Sequence, residues 1–308
     1  MTKRTRRGRG GLGVFLAAVV ALLAAAPAAF AVQSDQYDAF TACPTDHPLL
    51  NDPSAGFAIC AAGVGDAQLR IGDRTIQLDR AGVQFAATEA GTEEPDCPSP
   101  GSCFGRVPGS TRVEDDPSLV RLGPPGHGKH RNWKGWSRGK GKGLYLKLTV
   151  ESAGDLSAFS LAPLFEAPVP LFKLPIKVHI EAPWLGRDCY VGSDRHPIFL
   201  QPFIGGPPAN VEFLADPNGF PVEQIVATGL PLVDQAVEIP AARNCGHRGY
   251  RSDLMANAVV NRFLDLPSPA GQNLVTFPAS DLSLIGGAFD GNPPDGGAVL
   301  QAAFDAAR

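Results

Sequence analysis

The sequence predicts a mainly β protein: an antiparallel β-sandwich or barrel-like core with one or two short C-terminal helices, preceded by an N-terminal signal helix. Three observations lead there. Glycine and proline number 35 and 29 in 308 residues, well above the usual share. Only 19% of residues are charged, which suits neither a helical bundle nor a coiled coil. Apolar residues also recur with a period of two, as where Leu144, Leu146, Leu148 and Val150 alternate with Tyr145, Lys147, Thr149 and Glu151.

Residues 1–31 read as an export signal. Lys3, Arg4, Arg6, Arg7 and Arg9 form a basic leader, Val14 to Ala26 is an apolar run, and Ala29-Phe30-Ala31 supplies small residues, so cleavage is expected after Ala31. An uncleaved anchor is the alternative, because Leu12 to Val32 is uncharged and just long enough to cross a bilayer; Pro27 and the Ala-Phe-Ala tripeptide favour cleavage. Arg6-Arg7 lacks the large apolar residue that follows closely in a twin-arginine signal, and no Cys ends the apolar run as in a lipoprotein. The leader carries five bases and no acid, so the mature chain holds 22 bases against 31 acids, a net charge of −9. General affinity for nucleic acid or for anionic membrane is not expected of such a chain.

Six cysteines in an exported chain indicate disulfides. Chain order and context pair Cys43 with Cys60 across a turn-rich stretch, Cys97 with Cys103 across Pro-Ser-Pro-Gly-Ser, and Cys189 with Cys245, each after a strand-like run and a Pro. No Cys-x-x-Cys is present, which argues against a metal site.

Four segments follow in order. After the signal at 1–31, residues 32–87 hold short strand candidates at Gln68 to Ile71, Thr75 to Leu78 and Val83 to Ala86, punctuated by Gly72-Asp73 and Gly82. Residues 88–143 lose all periodicity and group Pro, Gly, Ser and charge in blocks, an expected disordered insertion. Residues 144–308 form the main β domain, with which 32–87 can share one core. Ile176, Val178 and Ile180 alternate with Lys177, His179 and Glu181, and further strands are expected at Ile198 to Ile204, Val211 to Leu214, Val222 to Val226, Gln235 to Ile239 and Leu282 to Ile285. One helix is expected where Ser252 can cap, Met255, Val259 and Phe263 recur, and Pro267 stops the run; Val299 to Ala307 suggests a second, short one.

A faint internal echo links Leu174-Pro175, Ile180-Glu181-Ala182-Pro183 and Arg187-Asp188-Cys189 with Leu230-Pro231, Val237-Glu238-Ile239-Pro240 and Arg243-Asn244-Cys245. Two neighbouring strands tied by one disulfide account for it more simply than a duplication. The run from Leu174 through Trp184-Leu185-Gly186-Arg187-Asp188-Cys189-Tyr190-Val191-Gly192-Ser193 to Pro197-Ile198 resembles a family of exported actinobacterial proteins of unknown function. Cys43-Pro44-Thr45, Val237 to Gly246, and Leu266-Pro267-Ser268-Pro269-Ala270-Gly271-Gln272-Asn273 are similar to that family in the same order. The resemblance spans most of the mature chain outside Thr88 to Gly143. It implies export and a disulfide-tied architecture, and it carries over no activity and no catalytic residue.

Few motifs carry chemistry. Between Arg121 and Lys147 the bases Lys129, Arg131, Lys134, Arg138, Lys140 and Lys142 occur with no acid and with Trp133 and Trp136 among them. Arg131, Trp133, Lys134, Trp136, Arg138, Lys140 and Lys142 can contact a polyanion, the bases meeting anionic groups while the indoles stack. The plainer reading is a solvated linker lying against the acidic residues before it. His127 and His130 are flanked by Lys129 and Arg131, which repel a cation, so no metal is expected there. Gly-x-Ser-x-Gly, the Walker loop and the dinucleotide fingerprint are absent, and Ser193, Asp194 and His196 read first as a turn. No cofactor is expected. The sequence therefore predicts a secreted or cell-surface protein, a non-catalytic binding or structural one whose partner is an anionic envelope polymer or lipid. A carrier of lipid or another apolar ligand is the alternative, suggested by the apolar and Pro-rich run from Leu161 to Leu174, and a secreted hydrolase is a further one.

Overall fold

The computed structural model describes residues 36–71, 74–89, 97, 103–114, 118–122, 144–165, 169–246, 250–287 and 295–307. The strands in chain order are β1 (Ala58–Ile71), β2 (Arg74–Thr88), β3 (Gly105–Arg106), β4 (Arg112–Glu114), β5 (Ser118–Leu122), β6 (Leu144–Ser152) and β7 (Leu174–Glu181). They continue with β8 (Tyr190–Val191), β9 (Ile198–Leu200), β10 (Phe203–Ile204), β11 (Asn210–Ala215), β12 (Val222–Asp234) and β13 (Ala242–Arg243). Helix α1 (Tyr250–Leu264) then precedes β14 (Asn273–Gly287), and α2 (Gly296–Ala307) comes last. The fold is mainly β and antiparallel, with a curled half-barrel and two short C-terminal helices.

Two sheets share this chain. The larger runs β10-β12-β14-β1-β2-β3, with β11 also on β12 and β4 also on β2. The smaller runs β13-β8-β7-β6-β5, with β9 beside β8 on the same side of β7. Strands β1 and β2 thus pair directly with the sheet built by β12 and β14, and the segments 32–87 and 144–308 build one core. The segment 88–143 is not wholly unstructured: its described part supplies β3, β4 and β5, which extend the edges of β2 and β6. These strands are two, three and five residues long, too short to show a period, and Val107 between β3 and β4 is buried.

Burial explains which strands the sequence displayed. In β6 and β7 one face is core and one is solvent, so Leu146, Leu148, Ile176 and Ile180 alternate with charged neighbours. At the start of β1, from Ala58 to Ala62, both faces are covered. Ile59 and Ala61 face the smaller sheet, whereas Ala58, Cys60 and Ala62 face a second cluster formed by Tyr37, Phe40, Leu50, Leu300 and Phe304. That is why Ala58 to Ala62 shows no alternation, and the three short candidates between Gln68 and Ala86 belong to two strands of 14 and 15 residues. Strand β14 also runs well beyond Leu282 to Ile285, through residues of mixed burial on its N-terminal side. Gln235 to Ile239 forms no strand, only a bridge from Ile239 to Ser268.

Helix α1 spans the expected region but turns a different face inward. Met255 is 73% exposed and Val259 46%, while Val260 and Leu264 are buried. Polar contacts decide this. Asn257 accepts the Cys245 N–H at 2.9 Å and Asn261 accepts the Ala242 N–H at 2.6 Å, so two amides fasten the helix to the free edge of β13.

The disulfides are Cys43–Cys60, Cys97–Cys103 and Cys189–Cys245, the pairs that chain order suggested. The first ties the N-terminal turns to the outer face of β1. The last joins the residues beside β8 and β13, which pair as Val191 with Ala242 and Tyr190 with Arg243. This adjacency is the physical origin of the echo between Arg187-Asp188-Cys189 and Arg243-Asn244-Cys245. Three disulfides fit an oxidising environment. Among the described residues, no helix is long and apolar enough to cross a membrane.

In the second cluster Phe304 stacks on Phe40, with ring centroids 6.2 Å apart, and tilts against Tyr37 at 5.4 Å. Truncation of Phe304 to Ala should cost about 3–5 kcal/mol, read as a lower urea midpoint with disulfides intact. Tyr37 donates to buried Asp216 at 2.6 Å. Burial first, and then the carboxylate, push the Tyr37 phenol well above its ordinary value. An unfolded phenol ionises near pH 10, so this contribution is whole below about pH 10 and declines as pH rises beyond it. Tyr37→Phe should accordingly lower unfolding free energy by about 1–3 kcal/mol at pH 8, and the gap from wild type should narrow above pH 10.

Candidate ligand cavity

The inner faces of the two sheets do not close on one another everywhere. Between them lies a cavity of about 130 Å³. Its wall takes Leu69, Ile71, Ile76 and Leu78 from β1 and β2, Leu230 and Leu232 from β12, and Val275, Phe277 and Leu282 from β14. The smaller sheet contributes Leu148, Val150, Ile176, Val178 and Ile180 from β6 and β7. Leu171, Phe172 and Leu174, from the apolar run noted in the sequence, line it as well. An apolar cavity of about 150 Å³ in a protein core stays dry and accepts small hydrocarbons, and this one has the same character.

The space exists because the long strands bend. In β1 the register with both neighbours shifts just after Gly65, and in β12 the register with β14 shifts between Ala227 and Leu230 and again before Leu232. Bulges of this kind curl a sheet away from its partner. Each leaves a backbone N–H off the ladder, and a carboxylate accepts it: Asp66 from the Arg80 N–H at 3.0 Å, and Asp281 from the Gly229 N–H at 3.1 Å. Arg80 and Gly229 both have positive φ, 52° and 64°. Pro278 sits at the same bend in β14, a position where lacking an N–H does no harm.

Small residues widen the gap at this row. Gly63, Gly65 and Gly82 all line the cavity, and an added Cβ at Gly63 would meet the Val83 side chain at 3.6 Å and, at 3.9 Å, the Asp281 carbonyl and the Leu282 side chain, all ordinary contacts. The polar exceptions in the lining are Ser280 and Asp281. Ser280 is 5% exposed, shares the inward face with Leu282, and its hydroxyl has no hydrogen-bond partner. Leaving such a group buried and unpaired costs about 1–3 kcal/mol.

The residues singled out in the sequence are placed as follows. Arg131, Trp133, Lys134, Trp136, Arg138, Lys140 and Lys142, with His127 and His130, lie outside the described residues, in the connection from β5 to β6. Ser193, Asp194 and His196 form a turn: the Ser193 hydroxyl accepts the His196 backbone N–H at 3.1 Å, and Asp194 pairs with Lys177 at 2.8 Å. His179 stacks on Tyr190 at 4.6 Å, and its Nε2 lies 2.9 Å from the Arg187 carbonyl, with Glu151 and Glu181 near Nδ1. These charged residues decorate the outer face of the smaller sheet, where ion pairs contribute little. Among the described residues no group of three or more His, Cys, Asp and Glu is placed to hold a metal ion.

Sequence reading did not find Gly63, Gly65 or Ser280. The Gly-Val-Gly inside β1 was the available signal, since glycine within a strand marks a bulge or a close approach. No protein-family model, no curated protein and no solved structure matches the chain, so none of these bears on its resemblance to exported actinobacterial proteins.

If the gap at Gly63 is unfilled space, Gly63→Val should fold and gain about 0.5–2 kcal/mol in urea unfolding. The same variant should show weaker fluorescence enhancement of the neutral dye Nile red than wild type does.

Proposed function

We propose that this protein is an exported binding protein that holds an apolar ligand, a small molecule or part of a lipid chain, between its two sheets. One observation carries the reading: an almost wholly apolar cavity lies where a structural sandwich would gain stability by closing up. Bulges, glycines and backbone-capping carboxylates keep it open, an arrangement with no evident use in a scaffold. The role is non-catalytic, since chemistry at such a wall would need polar groups that it does not supply. The turn at Ser193 to His196 gives no support to a hydrolase.

Export rests on the basic leader, the apolar run and the Ala-Phe-Ala tripeptide, together with three disulfides that suit an oxidising compartment. The protein is then secreted or held at the cell surface, in reach of envelope lipids.

The test is native purification of the secreted protein, with mass spectrometry of the intact chain and of an organic extract. The expected chain begins at Val32 and is lighter by the hydrogens lost to three disulfides, and the extract contains a lipid at up to one per chain. A chain that retains its leader overturns the cleavage. An extract without lipid, from a protein that also fails to take up Nile red or a medium-chain lipid, overturns the carrier reading.

A further inference from the structure

The larger sheet ends on a strand that no described element covers. Along its inner face one row runs from Phe85 through Ala61, Leu284 and Ile225 to Phe213, and the next from Val83 through Gly63, Leu282 and Ala227 to Val211. Phe85, Ala61, Leu284, Leu282 and Ala227 are buried in the core, whereas on β11 Phe213 is 73% exposed and Val211 43%. Among the described residues β11 pairs with β12 alone, so the N–H and C=O groups on its far side are open. Other edges are short or covered: α1 is fastened to β13 through Asn257 and Asn261, and β3 and β4, at the opposite edge of the larger sheet, have two and three residues. Strand β11 has six residues with no Pro, Lys or Arg, the usual blocks to edge pairing. Its one charge, Glu212, accepts from the Asn210 side-chain amide at 2.7 Å.

We propose that β11 is the contact of a homodimer, pairing antiparallel with β11 of a second copy about a twofold axis at Phe213. The inference is independent of what the cavity holds. The donors and acceptors of an antiparallel edge are matched by those of its own twofold copy. Opposed residues share a face, so the two registers that overlap five residues are centred on Glu212 or on Phe213. The first sets the two Glu212 carboxylates against each other. The second sets Phe213 against Phe213, Val211 against Ala215 and Glu212 against Leu214, with no like charges opposed. Charge therefore selects the Phe213 register, in which each copy covers the exposed ring of the other. Pro207-Pro208 before the strand and Pro217 after it lack the N–H that longer pairing needs. Because both copies use the same strand, the assembly closes at two.

The experiment is sedimentation equilibrium of the mature, disulfide-intact protein from micromolar to millimolar concentration. One short strand a side is a small interface, so a weak dimer is expected, half-dissociated at about 10–100 μM. Phe213→Lys, at a site exposed in the monomer, should leave the circular dichroism spectrum unchanged and raise that concentration at least about tenfold. The double variant V211C/A215C keeps Phe213 and sets a thiol of each copy opposite one of the other, so air oxidation should give a covalent dimer on a non-reducing gel. A chain that stays monomeric throughout the range overturns the proposal. So does a Phe213→Lys variant that dimerises as wild type does, or a V211C/A215C dimer that does not cross-link. The cross-link reads the register with Phe213 in place, and so decides the matter even where Phe213→Lys folds poorly.

Discussion

Long antiparallel strands can bend only if the backbone groups thrown off the ladder find other partners, and the architecture of this protein turns on how that is met at one row of its larger sheet. Around Gly65, Ser280 and Leu230 the registers of β1, β12 and β14 all shift. The freed donors go to side chains one strand away, Asp66 and Asp281, so exposed carboxylates that resemble loose surface charge are part of the backbone accounting. With those bonds made, the sheet curls, its inner face parts from the smaller sheet, and an apolar space opens between them. Were the strands straight, Val83 and Leu282 would have room to close on the opposite wall.

The same sheet must hide two apolar faces. Its inner face meets the smaller sheet, where Phe85 packs edge-on to Phe159 at 4.9 Å. Its outer face is covered at one end by α2 and the N-terminal turns, bound to β1 by Cys43–Cys60 and through Tyr37 to Asp216. Small residues make that cover fit: Gly297 at the start of α2 lies so close to Asn51 that a Cβ would fall 2.8 Å from its amide. Irregular segments are held in the same manner by buried amides. Asn273 donates to the carbonyls of Val237, Ser268 and Pro269 at 3.0, 3.1 and 3.1 Å and accepts from the Ser268 hydroxyl at 2.7 Å. The Pro-Ser-Pro-Ala-Gly-Gln-Asn stretch is thus tied down by its own terminal amide.

Several features were legible in the sequence because their causes are local. A strand with one wet face must alternate, so β6 and β7 were visible residue by residue. Cysteines that flank short turn-rich stretches pair with near neighbours, and Cys43, Cys60, Cys97 and Cys103 did so. The helix near the C-terminus was visible from its length and its stop at Pro267, yet its buried face was not. Which stripe faces inward depends on Asn257 and Asn261 meeting the edge of β13, a partner brought from earlier in the chain.

The sequence by itself determined a mainly β, disulfide-tied chain, because composition, cysteine spacing and period-two alternation are properties of neighbouring residues. Only the tertiary structure decided that Ala58 to Ala62 is buried on both faces, that β3, β4 and β5 supply sheet edges, and that Leu171, Phe172 and Leu174 share a wall with β1, β12 and β14. It also decided that Ser280 faces an apolar space. The physical reason is that a cavity is a mismatch between two surfaces. Each strand carries a pattern that says which side is apolar, but none records how far its sheet will bend away from the one it faces.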